Sequence, residues 1–394
     1  MAIMSSRDRL LKAMRNSVPD RVPVTPDISN YIPCKHTGLA FWDIYFLKKY
    51  PLWRAYIEAA NYYKIDPWVA SCCEIPLQQE NSNVDVRTEF AKDKNDNFMV
   101  QKITYRTPDG DLEEENICYR FEPPTHLSRM IKDLNSDWRR YKWLLTPPTG
   151  VDLSLINEIR KECEYHEIAF GLYIEYPGFQ AWEGLVQGSI EQLTYVYMDN
   201  PAILDEWFEI QLEGGTVAME LYLSTRPDYV LFGGSGTLTL ASPQLVMRYA
   251  IPAIKRWSQM ARKARVASML HSCGKSKLLV DMLVEHTMVD CVNPLEGPPM
   301  GDIDLAELKL IHGRQIALMG NLHTTDIMLK GTSRQVYEAS VQAISEAGDR
   351  GGFILSTGDQ CGLYTPEKNI LAMVRAAEEY GYYDTDTGTL HDLA

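Results

Sequence analysis

The sequence has no apolar run long enough to cross a membrane and no dense cluster of lysine and arginine. A transmembrane helix needs about 20 mainly apolar residues, and the charged segment Arg7-Asp8-Arg9 stands where a signal peptide would be apolar. The 39 basic and 53 acidic residues give a formal net charge of −14, which disfavours binding to nucleic-acid phosphates. We therefore expect a cytoplasmic protein with neither membrane nor nucleic acid among its partners.

A closely spaced cysteine framework is also missing, because the eight cysteines are scattered over 394 residues. Small secreted proteins are typically held together by dense disulfides. Scattered cysteines in a long chain instead indicate reduced thiols in the cytosol, and such thiols are free to bind a metal ion.

Strand-like and helix-like segments alternate along most of the chain. Two early strand-like runs lie near Val22-Pro23-Val24 and at residues 65–73. The later runs lie at residues 168–176, 229–232, 266–271, 289–293, 316–319 and 353–356. Helical patterns between them predict an α/β fold with a parallel sheet, and eight such units predict a (β/α)8 TIM barrel. We expect the whole chain, 1–394, to form a single barrel.

Residues 74–148 interrupt this alternation. Alternating runs at 84–90, 98–105 and 113–120 indicate antiparallel strands, with a turn at Pro108-Asp109-Gly110. A helical pattern follows them. We expect an inserted β-hairpin and helical segment after the second strand, which forms a lid or rim of the barrel.

The most distinctive motif is a histidine and a cysteine two residues apart, His271-Ser272-Cys273, at the end of a strand-like run. Alternate residues of a strand point to the same side, so both side chains can bind one metal ion. Cys361 follows another strand-like run and can complete a three-ligand zinc site that keeps one position open for substrate. Residues at strand ends carry the chemistry of TIM barrels, and these ligands lie at such ends.

These strand-end motifs resemble the uroporphyrinogen decarboxylase superfamily, which includes zinc-dependent, corrinoid-linked methyltransferases. The similar stretches run along nearly the whole chain and include Pro19-Asp20-Arg21-Val22-Pro23-Val24, His271-Ser272-Cys273-Gly274, Pro294-Leu295-Glu296-Gly297, Met319-Gly320-Asn321 and Gly358-Asp359-Gln360-Cys361-Gly362. The decarboxylases carry an Arg-Gln-Ala-Gly-Arg motif after the first strand, which holds the substrate carboxylates. This chain has Pro26-Asp27-Ile28-Ser29-Asn30 there, so the resemblance implies the methyltransferase branch.

In that branch a His-x-Cys pair and a distal cysteine bind zinc, which implies His271, Cys273 and Cys361 as ligands. Cys361 lies two residues closer to Thr365-Pro366 than the family pattern has it, and Asp359 falls in the ungapped position. We prefer Cys361, because a thiolate binds Zn²⁺ well and the flanking glycines allow the loop to adjust. Asp359 is the alternative.

The resemblance further implies that the protein moves a methyl group between a small methylated substrate and the cobalt of a corrinoid (cobalamin), which a partner protein carries. Aromatic side chains near strand ends, among them Tyr31 and Tyr173, favour a methoxylated aromatic substrate and therefore O-demethylation. Methylation of a thiol such as coenzyme M from a methyl-corrinoid is the alternative. A metal-independent decarboxylase of a small acid, which would use Asp27, and a non-catalytic tetrapyrrole-binding barrel are further alternatives.

Other polar residues at the strand ends complete the expected site. Glu175 and Asn321 are the candidate catalytic residues, and Glu175 would act as a general acid or as a displaceable fourth ligand. The candidate substrate-binding residues are Asp27, Tyr31, Tyr173, Asn293, Glu296 and His323. For each of these residues a structural role in a loop or helix cap is the alternative.

Overall fold

Strands and helices alternate along the structure, a computed structural model that describes residues 4–72, 76–384 and 386–391. The strands are β1 (Leu77–Gln78), β2 (Asp85–Lys92), β3 (Phe98–Thr107), β4 (Gly110–Tyr119), β5 (Thr125–Ser128), β6 (Gly150–Val151), β7 (Gly171–Glu175), β8 (Tyr229–Gly233), β9 (Ala267–His271), β10 (Cys291–Asn293), β11 (Ala317–Leu322) and β12 (Phe353–Thr357). The helices are α1 (Ser6–Met14), α2 (Tyr31–Thr37), α3 (Phe41–Tyr45), α4 (Leu52–Tyr63), α5 (Leu134–Tyr141), α6 (Leu153–Tyr165), α7 (Phe179–Trp182), α8 (Ser189–Asp199), α9 (Pro201–Ser224), α10 (Thr237–Leu240), α11 (Pro243–Leu245), α12 (Ile251–Ala264), α13 (Lys277–His286), α14 (Leu305–His312), α15 (Ser333–Ala347) and α16 (Glu367–Tyr380).

The strands β7 to β12 form one parallel sheet in which each strand pairs with the next along the chain. Every residue of β8 and of β12 is buried, as expected for a parallel sheet that helices cover. The structure therefore confirms these six predicted strands and the α/β class. Because the strands are parallel, their carboxyl ends lie at the same edge of the sheet, where TIM barrels carry their active sites.

The first two predicted strands are not regular strands. Val24 makes an isolated parallel bridge with Leu355 of β12, and Val69–Cys72 is a 3-10 helix. Prolines at positions 23, 26 and 67 explain this difference, because proline has no backbone N–H to donate to a strand ladder. Cys73, at the end of the second predicted strand, lies outside the described residues.

A backbone hydrogen bond from the N–H of Asp66 to the carbonyl oxygen of Val24 (2.8 Å) and several side-chain contacts replace a regular ladder between these two segments. The carboxylate of Asp66 accepts a hydrogen bond from the backbone N–H of Val24 (3.0 Å). The same carboxylate accepts a hydrogen bond from the guanidinium of Arg9 on α1 (2.7 Å), and that guanidinium also binds Asp20. All three charged side chains are buried, so removing one partner would leave an uncompensated charge in the core.

The insertion between residues 74 and 148 folds as an antiparallel sheet with the order β2-β3-β4-β5. The turn at Pro108-Asp109 joins β3 to β4 and brings Thr107 opposite Gly110. This sheet has four strands instead of the three predicted. The additional strand, β5, pairs with β4 and precedes α5. The pair β1 and β6 places Leu77 opposite Val151, so the two ends of the insertion lie side by side.

A contact between α5 and α9 holds the insertion against the barrel. The indole Nε1 of Trp138 donates to Glu206 (2.6 Å), and the Trp138 ring lies 5.7 Å from the ring of Trp207. Asp133 caps the N-terminus of α5 through the backbone N–H of Asn135. Within the described part of the chain, every helix is too short or too polar to cross a bilayer.

Candidate metal centre

Three possible metal ligands meet at the carboxyl edge of the parallel sheet. His271 is the last residue of β9, Cys273 follows two residues later, and Asp359 lies two residues beyond β12. One ligand atom from each of these residues lies within 4.8 Å of those from the other two. The parallel topology brings Asp359 to the other two residues despite their separation in sequence.

The imidazole of His271 has an unsatisfied nitrogen. Its Nδ1 is buried and has no hydrogen-bond partner among the described residues. An unpaired buried polar atom costs about 1–3 kcal/mol. A metal ion or a bound ligand at this position would remove that cost.

Cys273 is partly buried, and its Sγ lies 2.6 Å from the hydroxyl oxygen of Ser235. Burial and the neighbouring carboxylate of Asp359 raise the pKa of this thiol to about 11. A metal cation would favour the thiolate instead. One imidazole nitrogen, one sulfur and one carboxylate oxygen form a donor set that suits Zn²⁺ and leaves a fourth tetrahedral position open. The residues present therefore fit a zinc ion.

Cys361 lies apart from this group. Its side chain is fully buried, and its backbone N–H donates to the carbonyl oxygen of Asp27 (2.7 Å). Burial, followed by the negative charge of Asp27, raises the pKa of the Cys361 thiol to about 12. Of the two third ligands considered from the sequence, the structure brings Asp359, and not the preferred Cys361, to His271 and Cys273.

Two further predicted residues support the loop that carries Cys273. A carboxylate oxygen of Glu296 accepts a hydrogen bond from the backbone N–H of Gly274, and burial raises the pKa of Glu296. Asn293 lies opposite His271 in the register of β9 and β10. Its carbonyl oxygen accepts the N–H of Ser272 (2.9 Å), while its buried Oδ1 has no partner in the part of the chain that the structure describes.

A cavity of about 400 Å³ is lined by two of the three possible ligands, His271 and Asp359. Asp27, Tyr173, Glu175, His271 and Asp359 are among its lining residues, so the structure brings these predicted residues together. Asp27 is buried, its carboxylate accepts the N–H of Ser29 (2.9 Å), and burial raises its pKa.

Glu175 lies at the end of β7, in the wall of this cavity and of a second one. The side chain is solvent-exposed in the wall of these cavities, although the surrounding protein still desolvates its carboxyl group. This desolvation, followed by the negative charge of Glu183, raises the pKa of Glu175 to about 7. A carboxyl group with that pKa can give or take a proton near neutral pH.

Three further predicted site residues, like Cys273, Cys361, Asn293 and Glu296, are not among the residues that line the cavity. The Tyr31 ring packs near Phe41, with ring centroids 6.2 Å apart. Asn321 lies within β11 opposite Ser356. His323 caps a helical turn, because its Nδ1 accepts the backbone N–H groups of Thr325 (3.2 Å) and Asp326 (3.0 Å).

The cavity also contains residues that were not chosen from the sequence. They are Ser29, Asn30, Trp68, Gln180, Leu231, Gly233, Gly234, Ser235 and Gln360. Ser235 follows the end of β8 by two residues, so its position at a strand end was a usable signal. Gln180 had no such signal, because it belongs to the short helix α7, which the strand pattern does not predict.

Residues 228–380 match the model of the uroporphyrinogen decarboxylase (URO-D) family. This part of the chain is a URO-D family domain. The URO-D domain extends from the segment before β8 to the end of α16, and it contains His271, Cys273 and Asp359.

One relative and one solved structure extend this comparison. A methylated-thiol–coenzyme M methyltransferase from Methanosarcina mazei is 26% identical over 147 residues, which cover 37% of this chain and only 36% of that relative. A solved structure described as a methyltransferase from Methanosarcina mazei covers 95% of this chain and 99% of its own, with 15% identity and a TM-score of 0.64. At that identity the likeness establishes the fold, and the URO-D domain and the segments around it share the TIM-barrel fold of that protein.

Proposed function

We propose that this protein is a zinc-dependent methyltransferase that exchanges a methyl group between a small methylated substrate and the cobalt of a corrinoid protein. The observation that carries the proposal is the convergence of His271, Cys273 and Asp359 beside a cavity of about 400 Å³. The URO-D domain and the name of the curated relative support the same activity. A corrinoid protein that docks over the barrel mouth is the proposed partner, with the insertion as part of the rim.

His271, Cys273 and Asp359 would hold the zinc ion and leave one coordination position facing the cavity. Zinc would supply Lewis acidity at the heteroatom that carries the methyl group. The corrinoid would supply the cobalt centre that accepts the methyl group. Ser235 would donate a hydrogen bond to the Cys273 thiolate, and Glu296 would hold the backbone of Gly274. These contacts keep the ligand loop in place and tune the basicity of its sulfur.

Glu175 would donate the proton that the oxygen of the demethylated substrate takes up. When a methyl ether loses its methyl group, the oxygen becomes a phenolate or alkoxide and takes up a proton. Glu175 lines the same cavity as His271, and its pKa of about 7 makes the protonated form available at neutral pH. We therefore assign it the role of general acid.

The charge of the cavity favours an uncharged substrate. Asp27, Glu175 and Asp359 contribute carboxyl groups to the wall, and none of the described lining residues is lysine or arginine. Trp68 and Tyr173 add aromatic surface, which suits a planar apolar group. A methoxylated aromatic compound meets both conditions, and the lack of a cation disfavours a decarboxylase that binds small acids.

Methyl transfer involving a thiol is the second candidate. The name of the Methanosarcina mazei relative favours it, and the same zinc ligands would serve a thiol or thioether. Coenzyme M carries a sulfonate, however, and the acidic cavity offers this anion no lysine or arginine among its described lining residues. An uncharged thioether therefore suits the cavity better than coenzyme M itself.

The proposal is tested by measuring zinc and methyl transfer on the same preparations. The wild type should contain about one zinc per chain and should convert Co(I) cobalamin to methylcobalamin with 2-methoxyphenol. His271→Ala and Cys273→Ala should lose both zinc and transfer, while the exposed control His126→Ala should keep both. Wild-type protein without zinc, or a Cys273→Ala variant with full zinc and full transfer, would contradict the proposal. Activity only with dimethyl sulfide or with a thiol acceptor would select the second candidate.

A further inference from the structure

A second cavity, of about 290 Å³, lies on the outer side of β7, between that strand, α9 and the insertion. Leu77 and Leu144 from the insertion and Ile174 and Ile210 from the barrel give it apolar walls. Water occupies about 30 Å³ per molecule in the liquid, whereas an apolar cavity of about 150 Å³, roughly half the volume of this one, binds a benzene ring. The space is therefore suited to a substituted single ring rather than to one or two waters.

Glu175 is the polar group that this cavity offers to a ligand. Glu175 lines both cavities, and its carboxyl group has no hydrogen-bond partner among the described residues. The other polar side chains of the wall each take part in one hydrogen bond, and the hydroxyl of Thr146 accepts one from the amide of Asn81 (3.4 Å). Gln79 donates to the carbonyl oxygen of Thr146 (2.8 Å), and Gln211 accepts the indole N–H of Trp182 (2.6 Å).

Two consecutive glycines in α9 mark the inner wall. A methyl group on Gly215 would lie 2.2 Å from the indole of Trp257, so packing accounts for this glycine. A methyl group on Gly214 would meet only the Cα atom of Pro147 at 3.9 Å, so packing does not account for Gly214. A glycine inside a helix is less favourable than an alanine, and at Gly214 its effect is to leave the cavity open.

We propose that this second cavity is a binding site for an uncharged, single-ring aromatic molecule whose hydroxyl group hydrogen-bonds to Glu175. The apolar walls would bury the ring, and the open face at Gly214 would accommodate its edge. The site is separate from the three possible zinc ligands, so its existence does not depend on the proposed methyl transfer. Its occupant would contact the same carboxyl group that faces the metal cavity.

The probe for this site is 4-fluorophenol, observed by ¹⁹F NMR during titration of the full-length protein. We expect saturable binding to the wild type and at least tenfold weaker binding to Gly214→Leu, because the leucine side chain would fill the cavity from α9. Gly214→Ala, which adds one methyl group without a clash, should bind within about twofold of the wild type. Glu209→Leu, at an exposed position of the same helix, is the matched control for an added leucine and should also bind like the wild type.

Three results would overturn the inference: no saturable binding to the wild type, equal binding to Gly214→Leu, or equal loss in Glu209→Leu. Should Gly214→Leu fail to fold, as judged by its thermal unfolding, Gly214→Met replaces it with a more flexible side chain. The zinc content of each variant is measured in parallel. Absence of zinc or of methyl transfer in the wild type would count against the proposed function. The ¹⁹F titration would still report on the second cavity in that case.

Discussion

The Sγ atom of Cys273 lies 2.6 Å from the hydroxyl oxygen of Ser235. This contact joins the loop after β8 to the loop after β9, and it places a hydroxyl group, which can donate a hydrogen bond to a thiolate, beside a candidate zinc ligand. Hydrogen bonds of this kind orient a ligand and tune its affinity for the metal, and their loss typically costs 10–100-fold in metal affinity or activity.

We therefore expect Ser235→Ala to bind zinc about 10–100-fold more weakly than the wild type. The measurement is competition for zinc against a chelating dye at fixed pH. Ser154→Ala, at an exposed position of α6, is the control and should leave zinc affinity unchanged. Equal zinc affinity in Ser235→Ala and the wild type would show that this hydroxyl does not act on a zinc ligand.

The third ligand is tested by comparing Asp359→Ala with Cys361→Ser. Asp359 lies with His271 and Cys273, whereas Cys361 is buried against Asp27. We expect Asp359→Ala to lose zinc after dialysis and Cys361→Ser to retain about one zinc per chain. The measurement is the zinc content of the two purified variants. Zinc retained in Asp359→Ala and lost in Cys361→Ser would identify Cys361 as the third ligand.

The strand pattern was sufficient to predict the six parallel strands and to place His271 and Cys273 at one strand end. It did not separate Asp359 from Cys361, because both follow β12 and the outcome depends on how the loop turns. That turn is fixed by contacts distant in sequence, such as the hydrogen bond from the Cys361 N–H to Asp27. The same limit applies to His323, whose ring caps its own helical turn although its position after β11 resembles that of a site residue.

The raised pKa of Glu175 predicts a pH dependence of methyl transfer. Glu183 adds negative charge near this carboxyl group, and Tyr141, Tyr173 and Tyr176 lie close enough to interact with it. As a general acid, Glu175 is active when protonated, so the turnover number should fall as the pH rises through about 7. Glu175→Gln should be slower by about 10²–10⁴-fold and should lose this alkaline limb. A wild-type limb that persists unchanged in Glu175→Gln would assign the titration to another group.

The raised pKa of Glu175 also predicts how the free energy of unfolding changes with pH. Its folded pKa of about 7 exceeds the ordinary 4.5, so the folded state binds the proton more tightly than the unfolded state does. Wild-type stability should therefore fall, relative to Glu175→Gln, as the pH rises from about 4.5 to 7. Solvent screens the effect at this exposed side chain, and we expect a difference of about 1 kcal/mol. Urea unfolding of both proteins at pH 5 and pH 8 measures it, and a pH-independent difference would refute it.

The adjacent glycines of α9 predict opposite effects of the same substitution. Gly214→Ala adds a methyl group without a clash and should stabilise the protein by about 0.5–1 kcal/mol, because alanine restricts the unfolded chain and favours the helix. Gly215→Ala would force a methyl group to within 2.2 Å of the Trp257 indole, and overpacking of this kind typically costs about 1–3 kcal/mol. Thermal unfolding of the two variants beside the wild type tests both signs at once. Because helix propensity is the same at both positions, any difference between them measures packing alone, and equal shifts would mean that α9 does not lie against Trp257 as described.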